Sequence, residues 1–321
     1  GNFLSQSRHT KSVGEELANK LADRGWKILT ASHYPNRMLR MIDFLSTAWI
    51  KRRDYQIAMV EVYSGSAFIW AEVLGSILSR IHKPYLFTLH GGKLPEFAIQ
   101  HPRRVKKLLT SANVITTPSN YLRNTFLTDR PDIIYIPNGI ELANYPYSKR
   151  DEARPNLIWL RAFHEIYQPT LAVEVLDRIS KDFPDAHLTM IGPDKKDGTY
   201  DQTLRMIQNK GLQDKVEITG GIPKETVGLY LSRGDVFLNT THYESFGVSV
   251  LEAAACGLCI VTTNVGELGY LWEDGLDALL VPPNDPEAMA WAIRRILTEP
   301  GLAEKLSRNA RKKAEQFDWS I

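Results

Sequence analysis

The chain has 321 residues, of which 43% are hydrophobic and 24% are charged, enough apolar material for about two domains of ~150 residues each. This composition excludes a disordered or collagen-like chain, and the apolar run from Ala67 to Leu78 is shorter than the ~20 residues that cross a bilayer. Residues 1–140 hold 19 Lys and Arg against 10 Asp and Glu, whereas residues 141–321 hold 20 against 27, which predicts a basic and an acidic unit that meet different partners.

Short β-rich runs alternate with amphipathic stretches through the first half of the chain. The predicted strands are Trp26–Ala31, Ile57–Val62, Tyr85–Leu89, Val114–Thr117 and Ile133–Ile136. The predicted helices include Ser12–Arg24, Phe68–Ile81 and Arg103–Ser111. A doubly wound domain usually opens with a strand, but Gly1 resembles the loop after one, so we expect the first strand to be missing.

The same alternation of strands and helices restarts in the second half. Its last predicted helix breaks off near Ile321, so we expect the C-terminal end to be truncated. The predicted strands are Asn156–Leu160, His187–Ile191, Val216–Thr219, Val236–Asn239, Cys259–Thr262 and Ala278–Val281. The predicted helices are Pro169–Lys181, Tyr200–Lys210, Lys224–Ser232, Val248–Ala255 and Pro286–Leu297. Such βα alternation predicts parallel sheets that are covered by helices on both faces.

The two sets of βα units predict an α/β fold with two Rossmann-like, doubly wound domains that face a central cleft, where a ligand would bind. The boundary is expected at Ile136-Pro-Asn-Gly-Ile140, because Asn-Gly is a strong turn signal. This segment is either a simple tight turn or a hinge. The expected domains are residues 1–139 and residues 140–321.

The two cysteines, Cys256 and Cys259, have the C-x-x-C spacing of redox pairs. A reactive pair has its attacking thiol at a helix N-terminus, but this pair follows a predicted helix. A single C-x-x-C also supplies only two of the four ligands that zinc needs. We therefore expect two buried, structural thiols and no metal site.

The segment from Asn239 to Gly257 carries the candidate chemistry. A strand ends near Asn239, and a helix begins near Val248, so the free amides at the helix start make an anion site suited to a diphosphate. Gly247 allows close approach of the backbone to a ligand. Glu252 is placed to accept hydrogen bonds from ribose hydroxyls, and Glu244 is expected to be free to face a donor sugar. An ordinary helix cap with two solvated glutamates is an equal alternative.

The segment Glu244-Ser-Phe-Gly-Val-Ser-Val-Leu-Glu252 resembles the E-x₇-E signature of glycosyltransferase family 4, which has the GT-B fold. Four further segments resemble motifs of that family and occur in the family's order, which makes the resemblance specific over nearly the whole chain. They are Leu89-His-Gly-Gly92, Ile136-Pro-Asn-Gly-Ile140, Ala253-Ala-Ala-Cys-Gly257 and Leu279-Leu-Val-Pro-Pro-Asn-Asp-Pro286.

The resemblance implies a retaining transferase that uses a UDP- or GDP-sugar, needs no metal and holds no cofactor. It assigns catalytic roles to His90, Arg161 and Glu244, with the departing diphosphate taking the acceptor proton. It assigns donor binding to Ser245, Phe246, Gly247, Val248, Glu252 and Gly192. His90 would lie near the sugar, although a satisfied histidine at a strand end is the alternative.

The chain departs from the family at two places. After the first strand of the second half, the family shows G-R-x-x-x-x-K-G, but this chain keeps only Arg161 and has Ile166 and Tyr167 at the last two positions. Lys195, Lys196 and Lys93 are candidate replacements for the lost lysine. The second departure is Glu267, which takes a glycine position of the family. The segments Arg161-Ala-Phe-His-Glu-Ile-Tyr-Gln-Pro169 and Asn239-Thr-Thr resemble those of a bacterial subgroup with a variant phosphate clamp.

Four functions are open to a chain with two doubly wound domains. The favoured one is sugar transfer to a glycan or lipid-linked acceptor in cell-envelope or exopolysaccharide biosynthesis. The departures from the family motifs favour a sugar-nucleotide-binding protein without transfer activity. A nicotinamide dehydrogenase is disfavoured because no G-x-G-x-x-G segment opens a strand–helix unit. Nucleic-acid binding is disfavoured because the sequence contains no recognised nucleic-acid-binding motif.

The expected location is the cytoplasm, since the segment from Gly1 to Arg24 is too polar for a signal peptide. The basic stretch His101-Pro-Arg-Arg-Val-Lys-Lys107 is either a solvated helix face or a surface that attracts anionic lipid headgroups. The second interpretation predicts peripheral contact of the first domain with the inner face of the plasma membrane.

Overall fold

The computed structural model describes residues 12–321, which form two compact units that meet between Asn138 and Gly139. The prediction for Gly1 lies outside the described residues. The strands of the first unit are Ala58–Val62 (β1), Tyr85–Leu89 (β2), Val114–Thr117 (β3) and Ile134–Tyr135 (β4). Its α-helices are Val13–Asp23 (α1), Arg37–Ile50 (α2), Phe68–Arg80 (α3), Leu94–Gln100 (α4), Pro102–Ser111 (α5) and Asn120–Phe126 (α6).

The four strands of the first unit form one parallel sheet in the order β1-β2-β3-β4. Helices begin where side chains can cap them: Ser12 and Glu15 form a reciprocal capping box at the start of α1, and Asn36 accepts hydrogen bonds from two amides of α2. The core is apolar and includes Val62, Phe87 and Ile115 from three adjacent strands.

One predicted strand of the first unit is wrong. The segment Trp26–Ala31 forms neither strand nor helix, and its large side chains are exposed, with Trp26 at 67%. An apolar run becomes a strand only where a partner strand accepts its backbone hydrogen bonds, and in the described part of the chain this run has none.

The second unit contains a parallel sheet of six strands. The strands are Asn156–Leu160 (β5), His187–Ile191 (β6), Val216–Gly220 (β7), Val236–Asn239 (β8), Cys259–Thr263 (β9) and Leu279–Val281 (β10). The α-helices are Pro169–Ile179 (α7), Thr199–Asn209 (α8), Val227–Leu231 (α9), Val248–Ala255 (α10), Leu268–Leu271 (α11), Pro286–Thr298 (α12) and Leu302–Glu315 (α13). Two apolar clusters pack against the sheet, one with Trp159 and Leu176, the other with Phe237 and Val250.

The strand order of this sheet is β10-β9-β8-β5-β6-β7. The chain runs outward from β5 through β6 to β7, and then returns to the other side of β5 and runs outward again from β8 to β10. The order therefore reverses between β5 and β8. In open α/β sheets, ligands bind at the carboxyl ends of the strands at such a reversal. The predicted fold class, two α/β units with parallel sheets, is confirmed. In the described residues no helix has the length and apolarity needed to span a membrane.

A buried arginine holds together three segments at the amino end of this sheet. The Arg150 guanidinium donates to the carbonyl oxygens of Cys256 at 2.7 Å and Gly234 at 2.7 Å, and its Nε lies 3.3 Å from an oxygen of Asp235. Arg150 itself is 5% exposed. One side chain therefore satisfies carbonyls at the end of α10 and before β8 that would otherwise lack partners.

Replacing Arg150 with Met should destabilise the protein by about 3–5 kcal/mol, because the partly buried Asp235 and the carbonyls lose their donor. Lys149→Met is the matched control: Lys149 is exposed, pairs with Asp151 and Glu304 in solvent, and should change stability far less. Urea unfolding of both variants measures the difference. Equal losses of unfolding free energy would contradict the role assigned to Arg150.

The expectation that the two thiols are buried is confirmed, since Cys256 and Cys259 are both fully buried and form no disulfide. Burial raises the pKa of each thiol to about 12. The thiolate is the reactive form, and a raised pKa keeps the thiol protonated at neutral pH.

Cys256 and Cys259 should therefore resist a thiol-specific chromophoric reagent at pH 8 in the folded protein. Both should react once urea unfolds the chain, because their pKa then returns to about 8.5. The measurement is the absorbance of the released chromophore in each state. Rapid labelling of the folded protein would show that the thiols are accessible and ionised.

Candidate active site

The site is built where the strand order reverses. Arg161 follows β5 directly, and Glu244 lies in the loop after the adjacent strand β8, so parallel pairing brings the two side chains to one edge. An Nη2 of Arg161 donates to Oε2 of Glu244 in a short ion pair, and the Arg161 Nε donates to Asn239 at 3.2 Å. Both charged side chains are largely buried, at 13% and 12% exposure.

The Glu244 carboxylate also accepts backbone hydrogen bonds from its own loop. Its Oε1 accepts from the amides of Ser245 at 3.1 Å and Phe246 at 3.3 Å. The expectation that Glu244 is free is therefore wrong: the carboxylate folds back onto its loop because two amides and a guanidinium donate to it. These are also the donors that a phosphate group would use.

Helix α10 begins directly after this loop, as predicted. Its N-cap Gly247 has φ 96°, and no side chain caps the helix, so glycine is needed to start α10 at Val248. A Cβ on Gly247 would lie 2.8 Å from Leu268. The Phe246 ring does not face a ligand, because it is 2% exposed and packs edge-on against Phe317 at 5.8 Å. Phe246 can contribute only its backbone.

Glu252 lies on the second turn of α10 and is 3% exposed. Its Oε1 accepts a hydrogen bond from the Tyr145 hydroxyl at 2.9 Å and forms a short ion pair with Lys224. Lys224 lies in the loop after β7, also at the carboxyl edge of the sheet, and it was missed in the sequence. The alternative of two solvated glutamates is excluded, since Glu252 and Glu244 are both buried ion-pair partners.

Ile166 stands where the family has the clamp lysine, and it contacts the site through its backbone. The Ile166 carbonyl accepts from the His242 amide at 2.8 Å, and the neighbouring Tyr167 ring lies 5.3 Å below the Arg161 guanidinium. Burial raises the pKa of the Tyr167 hydroxyl, so the ring stays neutral and its face supports the cation. Lys195 and Lys196 lie in the exposed loop after β6, and Lys93 lies in the first unit.

Two glycines allow the loops of this edge to meet. Gly192 ends β6 with φ 150°, and a Cβ there would collide with the carbonyl oxygen of Arg161. Gly266 has φ 54°, and a Cβ there would collide with the carbonyl oxygen of Glu244. The next residue, Glu267, donates its amide to that same oxygen at 3.1 Å, so the altered family turn supports the Glu244 loop through its backbone.

His90 belongs to the first unit, at the carboxyl end of β2. Its ring stacks on Tyr63 with centroids 5.8 Å apart, and its Nε2 lies 4.0 Å from an oxygen of Glu61. Burial lowers the pKa of His90, and the Glu61 charge offsets this only in part, so the ring is mostly neutral at pH 7. A neutral imidazole can either donate or accept a hydrogen bond.

Across residues 12–321, no group of three or more His, Cys, Asp or Glu side chains is placed to hold a metal ion. The charges of the second unit's site are instead organised as two cation–carboxylate pairs, Arg161 with Glu244 and Lys224 with Glu252.

Known proteins resemble this chain in sequence and in fold. It is 30% identical over 197 residues to a glycogen synthase of Mycobacterium tuberculosis, a match that covers 59% of this chain and 45% of that relative, so the chain spans less than half of the relative's length. The sucrose-phosphate synthase structure from Thermosynechococcus elongatus superimposes with a TM-score of 0.77 at 20% identity, covering 96% of this chain and 89% of that one. Anabaena HepE in complex with UDP and glucose gives 0.74 at 17% identity, covering 94% and 84%.

These structural matches show a GT-B fold, as the sequence predicts. The family model described as "Glycosyl transferases group 1" matches residues 147–313, just over half of the chain and nearly all of the second unit. The matched range contains both cation–carboxylate pairs. The protein therefore belongs to the glycosyl transferases group 1 family.

Proposed function

We propose that the chain is a retaining glycosyltransferase of family 4 that transfers a sugar from a UDP- or GDP-sugar to a hydroxyl acceptor. The observation that carries this proposal is the donor set formed by the Arg161 guanidinium and the amides of Ser245 and Phe246 at the reversal of strand order. Fixed donors in a largely buried site suit a diphosphate leaving group, whose charge grows as the sugar departs. In this proposal Ser245, Phe246, Gly247 and Val248 act through their backbone.

Donor binding is then an exchange of anions. In the structure the Glu244 carboxylate neutralises Arg161 and accepts the two amide hydrogen bonds. A diphosphate carries more charge and more acceptor oxygens than a carboxylate, so it can replace Glu244 on these groups without leaving Arg161 unpaired. The released Glu244 carboxylate would turn to the hydroxyls of the donor sugar.

Glu252 is proposed to bind the nucleotide ribose. Tyr145 and Lys224 both hold its Oε1, which fixes the plane of the carboxylate and directs it for a pair of sugar hydroxyls. HepE, a protein of the same fold, has been crystallised with UDP and glucose, which supports a nucleotide-sugar as the ligand class here. Gly192 would keep the Arg161 loop close to the donor.

Metal independence is part of the proposal, and it rests on protein cations in the place of a metal ion. The Arg161 guanidinium stacks on the Tyr167 ring. We propose that this stacking positions Arg161 in a variant phosphate clamp that lacks the lysine of the family. No resident cofactor is proposed. His90, neutral and held by Tyr63 and Glu61, is proposed to bind a hydroxyl of the sugar.

The acceptor is proposed to be a glycan or a lipid-linked saccharide used in bacterial cell-envelope or exopolysaccharide biosynthesis. The basic balance of residues 1–140 supports an anionic acceptor or surface on the side of the first unit. We place this activity in the cytoplasm, at the inner face of the plasma membrane, with no nucleic acid as partner.

The alternative function is sugar-nucleotide binding without transfer. It is favoured by one observation, the closed Arg161–Glu244 pair, which a ligand must open. Donor turnover separates the two functions: release of nucleoside diphosphate from a UDP- or GDP-sugar, alone or with an acceptor extract, supports the transferase. Tight binding with no release would support the binding protein.

Glu252→Gln should weaken the binding of a nucleoside diphosphate by about ten- to a hundredfold, since a charged acceptor for hydroxyl donors is worth ~1.5–3 kcal/mol. Isothermal titration with UDP and GDP measures the affinity. Glu225→Gln is the control, because Glu225 is an exposed glutamate beside Lys224 and should leave the affinity unchanged. Equal affinities for wild type and Glu252→Gln would remove Glu252 from the donor site.

Arg161→Met should lower turnover by about 10²–10³-fold, the usual effect of losing one electrostatic contact to a developing anion. The measurement is the rate of nucleoside diphosphate release at saturating donor. Arg178→Met, which removes a surface arginine paired with Glu287 and Glu174 on the same unit, should keep the wild-type rate. If Arg161→Met were as active as this control, the proposed clamp would be wrong.

A further inference from the structure

Helix α2, residues Arg37–Ile50, exposes an apolar face that the proposed function does not use. Met38, Ile42, Leu45 and Trp49 follow the spacing 4, 3, 4, which places them on one side of the helix. Met38 is 67% exposed, Ile42 58% and Trp49 53%, and Leu45 is half-buried. We call these four residues the α2 face.

The opposite side of α2 already holds the helix to its unit. Phe44 packs on Trp70 of α3 with ring centroids 5.4 Å apart, and the Arg40 guanidinium lies 5.3 Å from the same ring. Ala48 is buried, and its carbonyl accepts the Tyr55 hydroxyl at 2.7 Å. The side of α2 with Arg40, Phe44 and Ala48 therefore packs on the first unit, and the α2 face lies on the opposite side of the helix.

Positive charge adjoins the end of the α2 face. Lys51, Arg52 and Arg53 follow the last residue of the helix without interruption. The Arg52 guanidinium lies 5.4 Å from the Trp49 ring and donates to the Trp49 carbonyl at 2.9 Å, so its charge stays beside the apolar side chains. Arg53 is exposed. Large apolar side chains next to arginines suit the boundary between lipid headgroups and acyl chains.

We propose that the α2 face docks onto a bilayer surface that carries anionic lipid headgroups. The aromatic and aliphatic side chains would enter the acyl boundary, while Arg52 and Arg53 would contact lipid phosphates. Charge complementarity selects this occupant, since a second copy docking by the same face would bring its own basic cluster against this one. The biological reason for docking rests on the proposed function, because a transferase on the bilayer surface would lie close to a lipid-linked acceptor.

The basic stretch His101–Lys107, the candidate from the sequence, has no exposed apolar face beside its charge, because Val105, Leu108 and Leu109 of α5 are buried. In α5 the Arg104 guanidinium is paired with both oxygens of Glu72, and Lys106 lies 3.1 Å from an oxygen of Asp129. Half of its four cations are thus neutralised within the unit, so it plays at most a supporting part.

The test is co-sedimentation of the full chain with vesicles of phosphatidylcholine, with and without phosphatidylglycerol. The double variant Ile42→Gln with Trp49→Gln should bind the anionic vesicles at least about tenfold more weakly than wild type, because two large apolar side chains no longer leave water. The matched control, Ile99→Gln with Trp291→Gln, removes an exposed Ile and an exposed Trp elsewhere and should bind like wild type.

A second variant, Arg52→Gln with Arg53→Gln, tests the charge. The affinity of this variant for anionic vesicles should fall about tenfold, and added salt should also weaken the binding of the wild type. Unchanged thermal melting and unchanged UDP affinity would show that each variant is folded. Vesicle binding needs no turnover, so its outcome is separate from that of the transferase proposal.

Three results would overturn the inference: no binding of the wild type to anionic vesicles, equal losses in the test and control variants, or equal binding to neutral vesicles. A wild-type dimer that Ile42→Gln with Trp49→Gln dissociates, seen by sedimentation velocity without lipid, would also overturn it by assigning the face to a second copy.

Discussion

The pairing of Arg161 with Glu244 is the constraint on which the site depends. The two residues are 83 positions apart, and they meet because β5 and β8 are hydrogen-bonded neighbours whose carboxyl ends share one edge. A largely buried arginine requires a counter-charge, since an unpaired ion in this setting costs several kcal/mol, on the order of 3–5. The fold thus brings a cation and two amides together around one anionic group, which in the structure is the Glu244 carboxylate.

The two glutamates of the signature differ in how firmly they are held, and this difference suits two roles. Glu252 lies within a regular helix, is 3% exposed, and has one oxygen fixed by Tyr145 and Lys224. Glu244 lies in a loop, and its neighbours are groups that a phosphate can equally well use. A fixed carboxylate suits recognition of an unchanging ribose, whereas an exchangeable one suits the part of the donor where bonds break.

Sequence patterns predicted most of the fold because parallel strands are short apolar runs and helices have a distinct period. Helix Val248–Ala255 and strand His187–Ile191 have the predicted bounds. The segment Trp26–Ala31 has the same local composition, but among the described residues it has no strand to pair with. A local sequence pattern does not show which strand will be the partner. The resemblance to the E-x₇-E signature identified Glu244 and Glu252 as a functional pair, but the ion pairs of the two residues were not predictable from the sequence. Lys224 escaped notice because its contact with Glu252 spans 28 positions and depends on how β7 lies in the sheet.

The proposed donor site requires that an anionic ligand replaces the Glu244 carboxylate on Arg161 and on the amides of Ser245 and Phe246. A crystal structure with bound nucleoside diphosphate tests this replacement. Diphosphate oxygens should lie within hydrogen-bonding distance of the Ser245 and Phe246 amides and of Arg161, with the Glu244 side chain turned away. A diphosphate bound elsewhere, with the Arg161–Glu244 pair intact, would contradict it.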